Sequence, residues 1–296
     1  MNNYRPFAGI TPAVKIIIII NVLVFLAVNM IGQRSDVDLV NILGMHLPQS
    51  QYFQIYQYIT HMFTQEGLTH LFFNMFAVFM FGRILESVWG TKRFIIYYFV
   101  TGLGAAALHS LVSWYGLHNM QEQFYAFQST PDAGVFAEFV RSHVSNPRLL
   151  SQLMQFVDAW NAAPASSQFA GQAEYYMQSI IQAYTNVPTI GASGAVFGIL
   201  LAFGMLFPNT ELYLMFIPIP IKAKYFVLLY GAAELFFGLQ NSVGDNVAHF
   251  AHLGGMLFGF FLILYWRKHS EVLLEKDKLC TTGRMDRIFQ VESGMG

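Results

Sequence analysis

Charge is what this sequence has least of. Only 11% of its 296 residues are Asp, Glu, Lys or Arg, against about 25% in soluble domains. The polar surface that a water-soluble globule needs is therefore missing. Cysteine is almost absent too. The only one, Cys280, lies in the polar tail, which excludes a disulfide framework and a cysteine-based metal site. An excess of basic residues is lacking, with 16 Lys and Arg against 17 Asp and Glu, so nothing supports a nucleic-acid partner. The first apolar run, "KIIIIINVLVFLAVNMIG", has no small-residue cleavage site and reads as a retained helix, not a signal peptide. Repeats and low-complexity tracts are absent as well. What remains is apolar: 55% of residues are hydrophobic, with 29 Phe and 14 Met. With a mean hydropathy of +0.44, the class is an integral membrane protein in a lipid bilayer.

A bilayer core about 30 Å thick asks for roughly 20 apolar residues per helix. Suitable runs fall near 14–32, 69–88, 94–115, 192–208, 225–243 and 249–267. The expected fold is thus an all-α polytopic bundle of six transmembrane helices, 14–267, between an N-terminal segment 1–13 and a polar tail 268–296. Lys and Arg set the orientation. Arg34, Arg141 and Arg148 lie on one side, and the other thirteen, from Arg5 and Lys15 to the tail, lie on the opposite side. Both termini are therefore expected in the cytoplasm.

Residues 116–187 separate spans three and four and should lie outside. Their charge is net negative, five carboxylates against Arg141 and Arg148. Asn146 and Pro147 have the form of a helix start, and Leu150, Leu153, Met154 and Val157 then repeat at helical spacing. A helical extramembrane insert is expected, its stripe lying in the bilayer interface or packed on the outer mouth of the bundle.

Spans two, four and six all start on the outer side. His70 and Asn74 share one face of span two, Ser193 opens span four, and His252 lies one turn into span six. Intramembrane polar groups are expensive and usually face a cavity or a pathway. Gly194 and Gly198, with Gly255 and Gly259, have the spacing that lets membrane helices approach closely. Ser193 needs an adjacent base to become a nucleophile, and a neutral histidine suits that task. His249 is the alternative base, three residues nearer the surface. The oxyanion of such a reaction needs donors; the backbone N–H of Ser193 and the side chains of His70 and Asn74 are candidates. No Asp or Glu is placed by sequence to orient His252, so a Ser-His dyad is expected. Phe197, one turn after Ser193, is placed to hold the imidazole. Glu234 in span five could act as a relay, but with no charged partner at its depth it is expected to be packed, protonated or snorkelling.

"HLFFNMF" in span two, "GASGAVFG" opening span four and "AHLGGMLFG" in span six resemble the three signature motifs of the rhomboid intramembrane serine proteases, in the family's order. The resemblance covers about 14–267 apart from the insert. It implies Ser193 as nucleophile and His252 as general base, with His70 and Asn74 supporting the oxyanion. It further implies a glycine face, Gly255 and Gly259, packing span six on span four, Gly191 and Gly194 in the serine motif, and Phe197 stacked on the base. It implies cleavage of transmembrane protein substrates near the outer membrane boundary, without metal or cofactor, in a membrane read here as a bacterial inner membrane. Where many relatives carry Trp-Arg in the first outer loop, this chain has Tyr56 and Gln57. The rival readings are a catalytically inactive, client-binding relative, and a transporter. The transporter would be expected to show paired intramembrane charges or inverted repeats, and neither is found.

Overall fold

The computed structural model describes residues 9–269 apart from 33, 36, 165, 215–216 and 241–247. Residues 1–8, most of the tail and Cys280 lie outside the described residues. Helix α1 (Pro12–Gly32) is followed by two short helices, α2 (Leu39–Leu43) and α3 (Gln57–Thr60), in the first connection. Helix α4 (Leu68–Ala77) runs through a π turn (Val78–Gly82) directly into α5 (Arg83–Trp89). Then come α6 (Thr91–Ser129), α7 (Ala133–His143), α8 (Pro147–Ala162), α9 (Ser167–Asn186) and α10 (Ser193–Leu206). A small antiparallel hairpin, β1 (Glu211–Leu214) and β2 (Ile217–Lys222), precedes α11 (Ala223–Gln240), and α12 spans His249–His269. The hairpin departs from the all-α expectation; Pro218 and Pro220 keep that stretch out of helix.

Among the described residues, four helices are long and apolar enough to cross a membrane: α1, the joined α4–α5, α6 and α12. Helix α10 is apolar but has only 14 residues, about 21 Å of helix. It is the central element. Its residues from Gly194 to Leu200 are buried on every face, as a helix apolar all round requires. Helices α6, α11 and α4 pack around it.

Two polar devices tie the bundle. The Glu86 carboxylate accepts from the backbone N–H groups of Ala13 (2.9 Å) and Val14 (3.0 Å), and also from the Thr91 hydroxyl. It thus caps the start of α1, whose first N–H groups have no partner within the helix. Gln57, fully buried, saturates its amide within the first connection. Its oxygen accepts from His46 N and Gln54 N, and its Nε2 donates to Ile42 O and Tyr52 O. A neutral amide here anchors the loop.

The segment that leads from α6 to α10 adds one feature and corrects one expectation. The helix that carries the expected third span does not stop with the apolar run: α6 continues unbroken to Ser129, 39 residues in all. The stripe on α8 faces neither a bilayer interface nor the mouth of the bundle. Leu153 and Val157 are buried, and Leu150 and Met154 half-buried, against Phe136, Phe139, Trp160, Met177 and the end of α6 at Phe124 and Phe127. These form a core of their own, separate from that of the bundle. Asp132 caps α7, and Asn146 caps α8 with Pro147 at its first turn.

Candidate active site

The approach to Ser193 is stitched down residue by residue. Thr189 exchanges two backbone hydrogen bonds with Met45, at 2.8 and 2.9 Å, and its hydroxyl lies 2.9 Å from His109 Nε2 on α6. Two residues on, Gly191 N donates to His61 O. Gly191 has φ +128°, a conformation open to glycine. Its bare Cα leaves a narrow hollow: a side-chain carbon there would sit 2.9 Å from His70 Cε1, 3.3 Å from His70 Nε2 and 3.5 Å from Ser193 Oγ. The structure therefore brings His70 and Ser193 to two sides of one small space. Ser193 is the first residue of α10, where N–H groups lack intrahelical partners and the helix dipole is positive.

Behind Ser193 lies a cavity of about 20 Å³ lined by Ser193, His61, His109, Thr189 and Gly191, among others. Such a volume holds about one water molecule. Burial draws His61 below the ordinary histidine value, against the opposing effect of its bond to Gln57 O, so it lines the cavity as a neutral ring.

His252 stacks on Phe197, with ring centroids 4.1 Å apart and planes 8° from parallel. The backbones of α10 and α12 touch at Gly255, where a side-chain carbon would lie 1.9 Å from the Gly194 carbonyl oxygen. Gly259 departs from the expected pairing: it faces α6, with the Tyr97 hydroxyl 2.3 Å from the position of an added carbon. That hydroxyl donates to Gly198 O, so Gly259 makes room for a bond between α6 and α10. Gly194 and Gly198 likewise lie against Ala105 and Thr101 of α6. Asn74 is turned to a buried amide chain. Its Nδ2 donates to Gln65 Oε1 (2.9 Å), and Gln65 Nε2 donates to Asn21 Oδ1 (2.8 Å). One Nδ2 proton is used this way, and the amide carries a second.

The acid missing from the sequence reading is Glu234. From α11 its Oε2 lies 2.9 Å from His252 Nδ1 and 2.6 Å from His249 Nδ1. The expectation that Glu234 has no charged partner, and that no acid orients His252, is therefore corrected. The signal was present: two histidines three apart share a helix face, and an intramembrane carboxylate is expensive unless paired. The two histidines part company in their other contacts. His252 stacks against Phe197, whereas His249 lies by Phe237 of α11 at 5.9 Å. With Nδ1 of His252 on the carboxylate, Nε2 is the ring atom left for a hydroxyl. Glu234, His249 and His252 also have the ligand atoms, within 4.8 Å of one another, to hold a metal ion.

Comparison with known proteins completes the picture. The model of the rhomboid domain matches residues 52–146 and 167–269, leaving out the whole of α8. An uncharacterised mitochondrial rhomboid protein of Schizosaccharomyces pombe is 27% identical, across 75% of this chain and 55% of its own length. The chain thus spans about half the length of the curated relative it matches. The matched stretches contain Ser193, His252, His70, Asn74, Phe197, Glu234 and His249, while Asn21 and Met45 precede them, and this chain belongs to the rhomboid family.

Proposed function

We propose that the chain is an intramembrane serine endopeptidase that hydrolyses peptide bonds in or near the transmembrane helices of its substrates. In this reading α10 and α11 complete a six-span bundle with both termini cytoplasmic, and α7–α9 lie outside. The setting is a bacterial inner membrane; the mitochondrial designation belongs to the yeast relative. Because α10 is shorter than the bilayer core is thick, Ser193 at its start sits below the outer surface. The observation that carries the proposal is the arrangement at the start of α10: the narrow hollow over Gly191 that Ser193 shares with His70, and, one turn after Ser193, Phe197 with the carboxylate-bound His252 stacked on it.

The chemistry follows from those positions. His252 Nε2 takes the proton of Ser193 Oγ as the oxygen attacks a substrate carbonyl. The oxyanion enters the hollow over Gly191, where His70 and the Ser193 N–H stabilise it and Asn74 contributes its second amide proton. The imidazolium then protonates the leaving amine, and a water from the cavity behind Ser193 hydrolyses the acyl-enzyme. Phe197 holds the plane of the imidazole and Glu234 fixes its tautomer, so the dyad has a positioning carboxylate.

A fluorophosphonate probe is expected to label the wild-type chain in membranes and to leave Ser193→Ala unlabelled. An unlabelled wild type would favour the inactive, client-binding alternative, and a labelled Ser193→Ala would remove Ser193 as nucleophile. Glu234→Gln tests the positioning role. A glutamine amide can donate to Nδ1 and stabilise the tautomer with its proton on Nε2. In a soluble triad the matching change lowers kcat about 10⁴-fold. Here a fall of about 10²-fold or more in kcat is expected, with KM unchanged. Equal losses through KM, or no loss at all, would assign Glu234 a merely structural part.

A further inference from the structure

We infer that Glu234, His249 and His252 form a binding site for a divalent cation of the zinc class, and that its occupancy switches the active site off. The switching half of this inference rests on the protease reading; the binding half stands on the geometry alone. Three donor atoms, Glu234 Oε2, His249 Nδ1 and His252 Nδ1, all lie within 4.8 Å of one another. The two oxygen–nitrogen separations are 2.6 and 2.9 Å. A tetrahedral zinc ion with bonds of about 2.0–2.1 Å needs donor separations of about 3.3 Å. The two oxygen–nitrogen pairs must therefore open by less than an ångström, and the two nitrogens must settle at the same separation from within 4.8 Å, movements within reach of side-chain rotation.

The donor types narrow the cation. Two imidazoles and one carboxylate suit zinc and its transition-metal neighbours, whereas magnesium and calcium prefer oxygen donors. Three protein donors leave a fourth position for water or another small ligand. The arrangement is also held in place. His249 and His252 stand one turn apart on α12, Glu234 comes from α11, and Phe197 backs one imidazole while Phe237 lies by the other. The side chains are largely covered, at 11% exposure or less, without being sealed.

The switch follows from the proton count on one ring. A neutral imidazole carries a single N–H. With that proton on Nδ1 and donated to Glu234, Nε2 keeps the lone pair that accepts the serine proton. A cation bound at Nδ1 uses the Nδ1 lone pair and leaves the ring proton on Nε2. Nothing is gained or lost overall, but Nε2 becomes a donor and can no longer serve as a base. Cation binding and base catalysis thus exclude each other at His252.

The test uses the full chain in detergent and keeps the two halves separate. Ser193→Ala is titrated with Co²⁺ as the spectroscopic probe. A saturable visible absorption typical of tetrahedral Co²⁺, at one ion per chain and displaced by Zn²⁺, is expected. It should vanish when either His249→Ala or Glu234→Gln is added. In the chain with Ser193 intact, Zn²⁺ should stop both cleavage and fluorophosphonate labelling, and EDTA should restore them. His249→Ala, measured against its own metal-free rate, should lose at least tenfold in Zn²⁺ sensitivity. Absence of the Co²⁺ band in Ser193→Ala, or its persistence in both donor variants, overturns the site. Zn²⁺ bound at one per chain without inhibition overturns the switch. A metal-free wild type that neither cleaves nor labels sinks the protease reading, while the Co²⁺ band would still support the cation site.

Discussion

Ser193→Ala is expected to abolish cleavage of a transmembrane substrate, and His252→Ala to do the same, with the double variant no worse than either. The expectation follows from their roles as one unit. Without the hydroxyl there is nothing for the imidazole to deprotonate, and without the imidazole the hydroxyl remains a poor nucleophile. In a soluble serine protease, losing the nucleophile or the base costs about 10⁶-fold in kcat, and losing both costs about the same. Single-turnover rates on a helical substrate reconstituted in vesicles measure this directly. His249→Ala is the informative companion. Its ring shares Glu234 but lies by Phe237, not against Phe197, so it should keep a measurable rate. If His249→Ala is dead while His252→Ala turns over, the base has been assigned to the wrong ring.

Gly255→Val carries the second large effect, because the obstacle it creates is backbone. A carbon on Gly255 would lie 1.9 Å from the Gly194 carbonyl oxygen and 2.7 Å from the carbonyl carbon. Ordinary contact distances are about 3.5–4.0 Å, so α12 must retreat from α10 by roughly 1.5–2 Å at this point. His252 is three residues away on the same helix and moves with it. Misplacing a catalytic group by about 1 Å costs on the order of 10²-fold, and overpacking destabilises by about 1–3 kcal/mol. Activity should therefore fall by at least about 10²-fold, together with a lowered thermal midpoint in detergent. Gly171→Ala in α9 is the control: no atom lies within 4 Å of its added carbon, so both quantities should stay near wild type or better. A Gly255→Val protein with normal rate and midpoint would show that the contact between these helices does not set the geometry of the site.

Much of the neighbourhood of Ser193 is legible in the sequence, because membrane composition leaves so few polar residues to choose from. Ser193, His70 and His252 stand out against apolar helices, and glycines beside them announce close packing. Glu234 escaped for a physical reason. Its partners lie 15 and 18 residues further along the chain on another helix, and depth along a span does not reveal which faces meet. The same limit applied to Gly259, whose spacing declares a close neighbour without saying whether that neighbour is α10 or α6. The full length of α6 is not legible from polarity. The stretch "GLHNMQEQFYAFQS" turns polar without losing helix-forming residues, and a helix stops at its breakers, not at the edge of the lipid. The α8 stripe was legible as a buried face, but its partner was not: periodicity specifies that a face is covered, never by what. The anchoring part of Gln57 is not legible either, because an amide does not advertise four hydrogen bonds in sequence.

The length of α6 has a mechanical consequence. Thr101 and Ala105 bear on Gly198 and Gly194 at the start of the serine helix, while Met120, Phe124 and Phe127 of the same unbroken helix are built into the second core. The stretch from Ala105 to Phe127 is about 33 Å of continuous helix, too stiff over that span to absorb a sideways load by local bending. It acts as a beam with one end clamped in the module of the second core and its middle resting against α10. Force applied to that module, by crowding, by a docked protein or by lateral pressure in the leaflet, arrives at the serine helix as leverage.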